Sequence, residues 1–217
     1  MRPWSYSKYS TYEDCPKKYW YRYKENVPST KPDSPAATRG SDLHEQAENY
    51  LLNKVPIYPP DLQRVSAHAM LLKAKQAQPE LKLGVTEAWE PCDFKDSNAY
   101  FRAIFDVFYK DDEQKIVHIQ DWKSGQVYPH HDTQMAYYVA TAAAYYPDYE
   151  FQTRLIYIDQ GIVTKPKITR PERVKPIRLL LDAGIKQAED DQIFPTRAGP
   201  ICRFCDYSKK YNGPCTF

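Results

Sequence analysis

The chain has 217 residues, with 30 Lys and Arg against 28 Asp and Glu and a formal charge of +2, so overall charge argues neither for nor against a nucleic-acid partner. A chain of this length buries a substantial core. It has no apolar run of roughly 18 residues that would span a membrane and no charged-then-apolar leader, so a cytoplasmic location without membrane contact is expected. The 19 tyrosines offer large faces with polar tips, suited to half-buried surfaces or to stacking on bases, and five cysteines in such a compartment point to metal ligation or burial rather than disulfides.

Residues 4–23, W-S-Y-S-K-Y-S-T-Y-E-D-C-P-K-K-Y-W-Y-R-Y, read as two short helices, the first capped by Ser5 or Ser7 and the second opening after Asp14 at Pro16. Their basic and aromatic residues, Lys17, Lys18, Tyr19, Trp20, Arg22 and Tyr23, could track a nucleic-acid backbone. A helix that packs its aromatics inward is the better reading. Prolines mark 28–35 as a loop. A helix is expected over 39–54 with Leu43, Ala47, Tyr50 and Leu51 on one stripe and His44 beside Glu48, and another over 61–78. Taken alone, His44 is more often a hydrogen-bonded structural residue than a ligand.

Strands are expected over 85–92, 99–109 and 115–123, the last two joined as an antiparallel hairpin through Asp111 and Asp112. The alanine-rich run 131–146 reads as a helix ended by Pro147, with Gln134 and Tyr138 four apart and so on one face. A strand over 151–159 pairs with 162–169. A helix over 171–192 carries Ile177, Leu180, Leu181 and Ile185 as its apolar stripe. This order of elements belongs to an α/β or α+β domain with a mixed central sheet.

The chemistry centres on I-V-H-I-Q-D-W-K, residues 116–123. Strand alternation puts Asp121 and Lys123 on one face, and the preceding strand carries Asp106 between Phe105 and Val107, where a carboxylate is costly unless compensated. A divalent cation held by Asp106, Asp121 and the Trp122 carbonyl would compensate it. An all-oxygen set of that kind suits Mg²⁺ or Mn²⁺. Such a metal would activate a water and offset charge on phosphorus, while Lys123 positions or deprotonates that water. Glu87, on the first strand, is a weaker candidate for the same cation. The plainer reading makes Asp121 and Lys123 a surface ion pair worth at most about 1 kcal/mol.

At the C-terminus, Cys202 and Cys205 form C-x₂-C, and Cys215 follows after nine intervening residues. Thiolates at such spacing suit zinc or an iron–sulfur cluster. Cys92 stands alone and reads as a small buried hydrophobe.

In these motifs the chain resembles the RecB-like branch of the PD-(D/E)XK nuclease superfamily over nearly its full length. S-x-S with C-P-K-K-Y-W-Y-R-Y is similar to that branch's opening segment. R-G-S-D-L-H-E-Q-A-E is similar to its metal-ligand helix, here with His44. A-I-F-D-V is similar to the strand whose aspartate binds metal, here Asp106, with Ala103 where many relatives carry glycine. Q-D-W-K-S-G resembles the D-x-K signature, here Asp121 and Lys123, and Q-M-A-Y-Y resembles the Q-x-x-x-Y helix, here Gln134 and Tyr138.

The resemblance implies a restriction-endonuclease-like α/β core with helices flanking a mixed sheet. It implies one nuclease domain over 1–217: N-terminal helices in 1–80, catalytic sheet and helix in 81–170, C-terminal helix and cysteine motif in 171–217. It further implies that Cys15, in its C-P context, joins Cys202, Cys205 and Cys215 around a [4Fe-4S] cluster tying the chain ends together, zinc being the lesser alternative. The interval before Cys215 is longer than usual in that subset.

The activity implied is Mg²⁺- or Mn²⁺-dependent DNA exonuclease action in phage or prokaryotic recombination, repair or replication. DNA ends would be the substrate, and a helicase or single-strand annealing protein a candidate partner. Two rival readings are a catalytically silent nuclease-like DNA-binding module and a cysteine-rich metal-binding interaction protein.

Overall fold

A computed structural model describes every residue except 1, 2, 30, 33, 56, 57 and 129. By its contacts the chain divides into two units, Met1–Pro3 with Pro35–Leu179, and Trp4–Ser34 with Leu180–Phe217.

The larger unit opens with α3 (Pro35–Leu51), which follows two helices of the other unit, α1 (Tyr6–Asp14) and α2 (Pro16–Tyr19). Helix α3 starts four residues earlier than the spacing predicts because Pro35, which lacks an N–H, is well placed in a first turn. The expected helix over 61–78 is shorter and mixed: a 3-10 turn, Pro60–Val65, leads into α4 (Ser66–Ala74). The strands are β1 (Leu81–Val85), β2 (Pro91–Cys92), β3 (Phe101–Phe105), β4 (Val107–Asp111) and β5 (Ile116–Lys123). After α5 (His130–Ala142) come β6 (Glu150–Tyr157), β7 (Ile162–Val163) and β8 (Lys167–Thr169). The chain then enters α6 (Val174–Asp190).

Two sheets result: one orders its strands β2-β1-β3, the other β4-β5-β6-β7, with β8 also on β6. The second is mixed, since β4 is antiparallel and β6 parallel to β5, the crossover between β5 and β6 being α5. The expected hairpin is present. The expected single strand over 99–109 is not: it breaks at Asp106, where β3 pairs with β1 and β4 with β5. Glu87 was expected on the first strand, but β1 ends at Val85 and Glu87 lies exposed in the following turn.

Both faces of the second sheet are covered, which explains why Gln120, Asp121 and Trp122 are all buried in succession. Val117 and Ile119 pack with Met135, Tyr138 and Val139 of α5 on one face. Trp122, Ile156 and Ile158 pack with Leu43 and Ala47 of α3 and Leu72 of α4 on the other. Each such fully buried aliphatic side chain contributes about 1.5–3 kcal/mol of apolar transfer.

In the smaller unit Ser5 caps α1, its hydroxyl accepting from the Lys8 N–H at 3.3 Å, and Pro16 occupies the first turn of α2, which runs into a π turn at Trp20–Lys24. Trp4, Tyr9, Tyr12 and Tyr19 pack inward, whereas Trp20, Tyr21 and Tyr23 are half-buried. Trp4 stacks on Tyr19 with ring centroids 5.6 Å apart, Tyr12 meets Tyr19 edge-on at 5.5 Å, and the Trp4 indole donates to Glu189 at 2.9 Å. Along α6 the buried stripe is Val174, Leu181, Ile185 and Ala188; Leu180, expected among them, is 73 % exposed. Positions 181, 185 and 188 keep helical spacing, whereas residue 180 points one position away from it.

Candidate active site

The geometry of the candidate site follows from the break at Asp106. The β4–β5 ladder ends with Val107 opposite Gln120, so the next residues in that register are Asp106 and Asp121. There the chain leaves β5 for the other sheet, and the uncovered edge of β5 is met by the Asp106 side chain, whose Oδ2 accepts the Trp122 N–H at 2.9 Å. The N–H and C=O of one strand residue face the same neighbour, so the Trp122 carbonyl is turned to the Asp106 side. The sheet's own divergence thus gathers two carboxylates and a carbonyl.

Asp121, on the α5 face of β5, is 1 % exposed. Its Oδ2 forms a close ion pair with Lys123 Nζ at 2.5 Å but receives no aligned hydrogen bond, and it is one of the buried polar atoms left without a hydrogen-bond partner. Gln134 organises the pair: its Oε1 accepts from Lys123 Nζ at 2.8 Å, while its Nε2 donates to Asp121 Oδ1 at 3.1 Å and to the Tyr138 hydroxyl at 2.8 Å. The four-residue spacing of Gln134 and Tyr138 places both on the face of α5 turned to β5. The surface-ion-pair reading is excluded by this burial.

Burial, and then the neighbouring Asp121 carboxylate, push the Asp106 carboxyl well above the usual carboxylate range, against the Trp122 N–H and Lys123, which favour its charged form. Two acids facing each other in a buried register need a proton or a cation between them. This donor set, all oxygen, fits a hard divalent ion on Asp106, Asp121 and the Trp122 carbonyl. His44 reaches in from α3, its Nδ1 3.3 Å from Asp106 Oδ2, so it borders the acid rather than standing apart. Among the described residues no three His, Cys, Asp or Glu side chains are already spaced as a metal-holding group.

Two residues beside the site gave no sequence signal. His131 is buried at the start of α5, with its Nδ1 2.9 Å from the Tyr157 hydroxyl; burial, then Lys123, lower its pKa to about 4. Glu80 lines a cleft with His44, Glu48 and Ser124.

The smaller unit holds a second constellation. Cys15, Cys202, Cys205 and Cys215 border one pocket, together with Lys17, Lys18, Arg197 and Tyr21. Turns fix three of them: the Cys205 N–H donates to the Cys202 carbonyl at 3.1 Å, and the Cys215 N–H to the Tyr207 carbonyl at 2.9 Å. Burial raises the Cys205 thiol pKa, and the Lys18 charge opposes that. Four thiols in a pocket whose lining holds Lys17, Lys18 and Arg197 against the one acid Asp14 suit an anionic, thiolate-bound centre. Cys92 lies apart, half-buried on β2.

A family model for the PD-(D/E)XK nuclease superfamily matches residues 3–209, a span that includes every acidic-site residue and Cys15, Cys202 and Cys205 but stops before Cys215. No curated protein matches the chain by sequence. Among solved structures the chain is similar to the crystal structure of SSO0001, with a TM-score of 0.53 and 14% identity, covering 100% of this chain and 88% of that one. That likeness is one of fold.

Proposed function

Because this chain belongs to the PD-(D/E)XK nuclease superfamily, we propose that it is a Mg²⁺- or Mn²⁺-dependent deoxyribonuclease that works from DNA ends. The observation carrying this reading is the meeting of Asp106, Asp121, Lys123 and Gln134 at the point where β4 leaves β5. Asp106, Asp121 and the Trp122 carbonyl would hold the cation, with His44 alongside. A cation bound there would lower the pKa of a water and offset the charge that develops on phosphorus. Lys123 holds its ammonium at a fixed point between Asp121 and Gln134, from which it orients the water or a phosphate oxygen. Gln134 keeps that amine and Asp121 in one geometry, and Tyr138 holds Gln134.

The preference for ends rests on the resemblance to RecB-like members, many of which process DNA ends. The same resemblance supports a setting in phage or prokaryotic recombination, repair or replication, and residues 1–217 acting as one nuclease domain. It also supports a [4Fe-4S] cluster on Cys15, Cys202, Cys205 and Cys215. Their common pocket and its lysines and arginine favour that centre.

The test is Mg²⁺-dependent cleavage of 5′- and 3′-labelled single- and double-stranded DNA beside closed circular DNA. Asp121→Ala and Lys123→Ala should each lower the rate by roughly 100- to 1,000-fold. Mononucleotide or short products from linear DNA with intact circles are expected. Cleavage of the circles removes the end-directed part of the reading, and wild-type rates in both variants remove the active site.

A further inference from the structure

We propose that Tyr128 and His130, stacked on each other beyond the end of β5, form a platform on which a base of the bound DNA strand lies while the cation site holds its backbone. This deepens the nuclease reading and rests on it.

The cleft beside the acidic site sets the need. Among the described residues its lining holds Glu45, Glu48 and Glu80 and no lysine or arginine. A bound cation offsets that charge at one point, but the cleft offers the rest of a phosphate backbone nothing to pair with and much to repel it. Base stacking needs no charge and tolerates every sequence, so it holds a strand where phosphate contacts cannot.

An aromatic pair stands at that place. β5 and β6 run parallel, and the crevice beyond the carboxyl ends of parallel strands is where open sheets of this kind receive ligands. Ser124, the first residue past β5, lines the cleft, and Tyr128 follows four residues later, at most about 15 Å away by chain length. The Tyr128 ring is 47 % exposed and lies on the His130 ring with centroids 5.4 Å apart and planes 15° from parallel. His130 is exposed as well.

The pair is braced from below by His131, which the cleavage chemistry leaves without a role. This buried ring meets Tyr128 edge-on at 5.6 Å and His130 at 4.6 Å, and the His131 backbone N–H donates to the Tyr128 carbonyl at 3.1 Å. Its Nδ1 lies 2.9 Å from the hydroxyl of Tyr157, a buried residue directly opposite Lys123 in the β5–β6 register. One packed path thus runs from Lys123 through Tyr157 and His131 to the stacked rings, and the charges of both Lys123 and Asp121 act on His131. Rings already fixed in place lose little entropy when a base lands on them, the condition under which stacking contributes most to affinity.

The test is a scan of abasic sites along a short fluorescent single strand. Affinity is read by anisotropy in Mg²⁺ with Lys123→Ala protein, in which cleavage is slow. One abasic position should weaken binding by roughly 5- to 150-fold, the effect of losing one stacked base. Adding Tyr128→Ala should weaken binding of intact DNA to the same extent, after which the sensitive position should cost nothing further, a non-additivity that a merely structural role does not produce. Tyr128→Phe keeps the ring and should keep the sensitivity; Tyr128→Leu replaces the alanine variant if that one folds poorly. Binding that no abasic position weakens, a sensitive position that survives the loss of the Tyr128 ring, or binding confined to duplex DNA overturns the platform alone. Absence of binding to either form also overturns it, and if the wild type leaves both forms uncut, the deoxyribonuclease reading falls with it.

Discussion

At the scale of single residues, Gln134 is the position where geometry and chemistry separate most cleanly. It carries no charge and yet touches Lys123, Asp121 and Tyr138. Gln134→Leu keeps the size and the helix but frees both charged groups. It should lower kcat by roughly 100-fold, the cost of a misplacement of about 1 Å, with little change in KM for DNA; single-turnover rates decide it.

Asp106 makes a second prediction, in the metal-free protein. Its folded pKa is raised above the ordinary 3.8. The stability attached to this group is therefore fully present below the usual carboxylate range and lost as pH rises through the raised value. Asp106→Asn can still accept the Trp122 N–H but has no proton to lose. In chelator at neutral pH it should melt at least about 2–4 °C above the wild type, the shift expected for about 1 kcal/mol in a chain of this size. The gap should close on acidification, and a variant that melts lower at every pH contradicts the assignment.

Elements explain what residues cannot. The motif D-x-K guarantees only that two side chains share a face; burial of that face requires α5 to lie across β5, where Met135, Tyr138 and Val139 pack on Val117 and Ile119. In α6 the glycine at 184 makes room for a close neighbour. A Cβ there would collide with the Tyr9 hydroxyl oxygen and meet its ring carbons at 2.7 and 2.8 Å. Although alanine is the better helix former by about 1 kcal/mol, Gly184→Ala should destabilise the protein by about 1–3 kcal/mol through overpacking. Denaturant unfolding followed by tyrosine and tryptophan fluorescence measures it, and a gain in stability shows that Tyr9 can move aside.

Over the whole molecule, the acidic site and the cysteine pocket fall in different units of the chain. A thiolate-bound cluster supplies folding free energy where it binds. Protein purified without air should therefore contain iron and labile sulfide. Cys205→Ala should speed amide exchange by more than tenfold across 4–34 and 191–217 while leaving 116–142 protected. Iron-free protein, or exchange unchanged in the cysteine segments, refutes the cluster. Of the basic and aromatic residues that could track a nucleic-acid backbone, Tyr19 is buried, Lys17, Lys18, Trp20 and Tyr23 are half-buried and Arg22 is exposed, while Trp4, Tyr9 and Tyr12 of the same segment are buried.

Local chemistry is written in the sequence because it depends on short spacings. Asp121 with Lys123, Gln134 with Tyr138 and the Ser5 cap follow from spacings of two, four and three residues, and each is present. The sequence also determined the class of fold, since apolar periodicity sets the order of helices and strands. The tertiary structure alone decided that the strand over 99–109 divides at Asp106. Nothing in that run marks the break, which arises because β1 and β5 compete for successive parts of one segment. From that division comes the facing of Asp106 with Asp121, residues 15 positions apart in sequence that only the registers of the sheets can bring together.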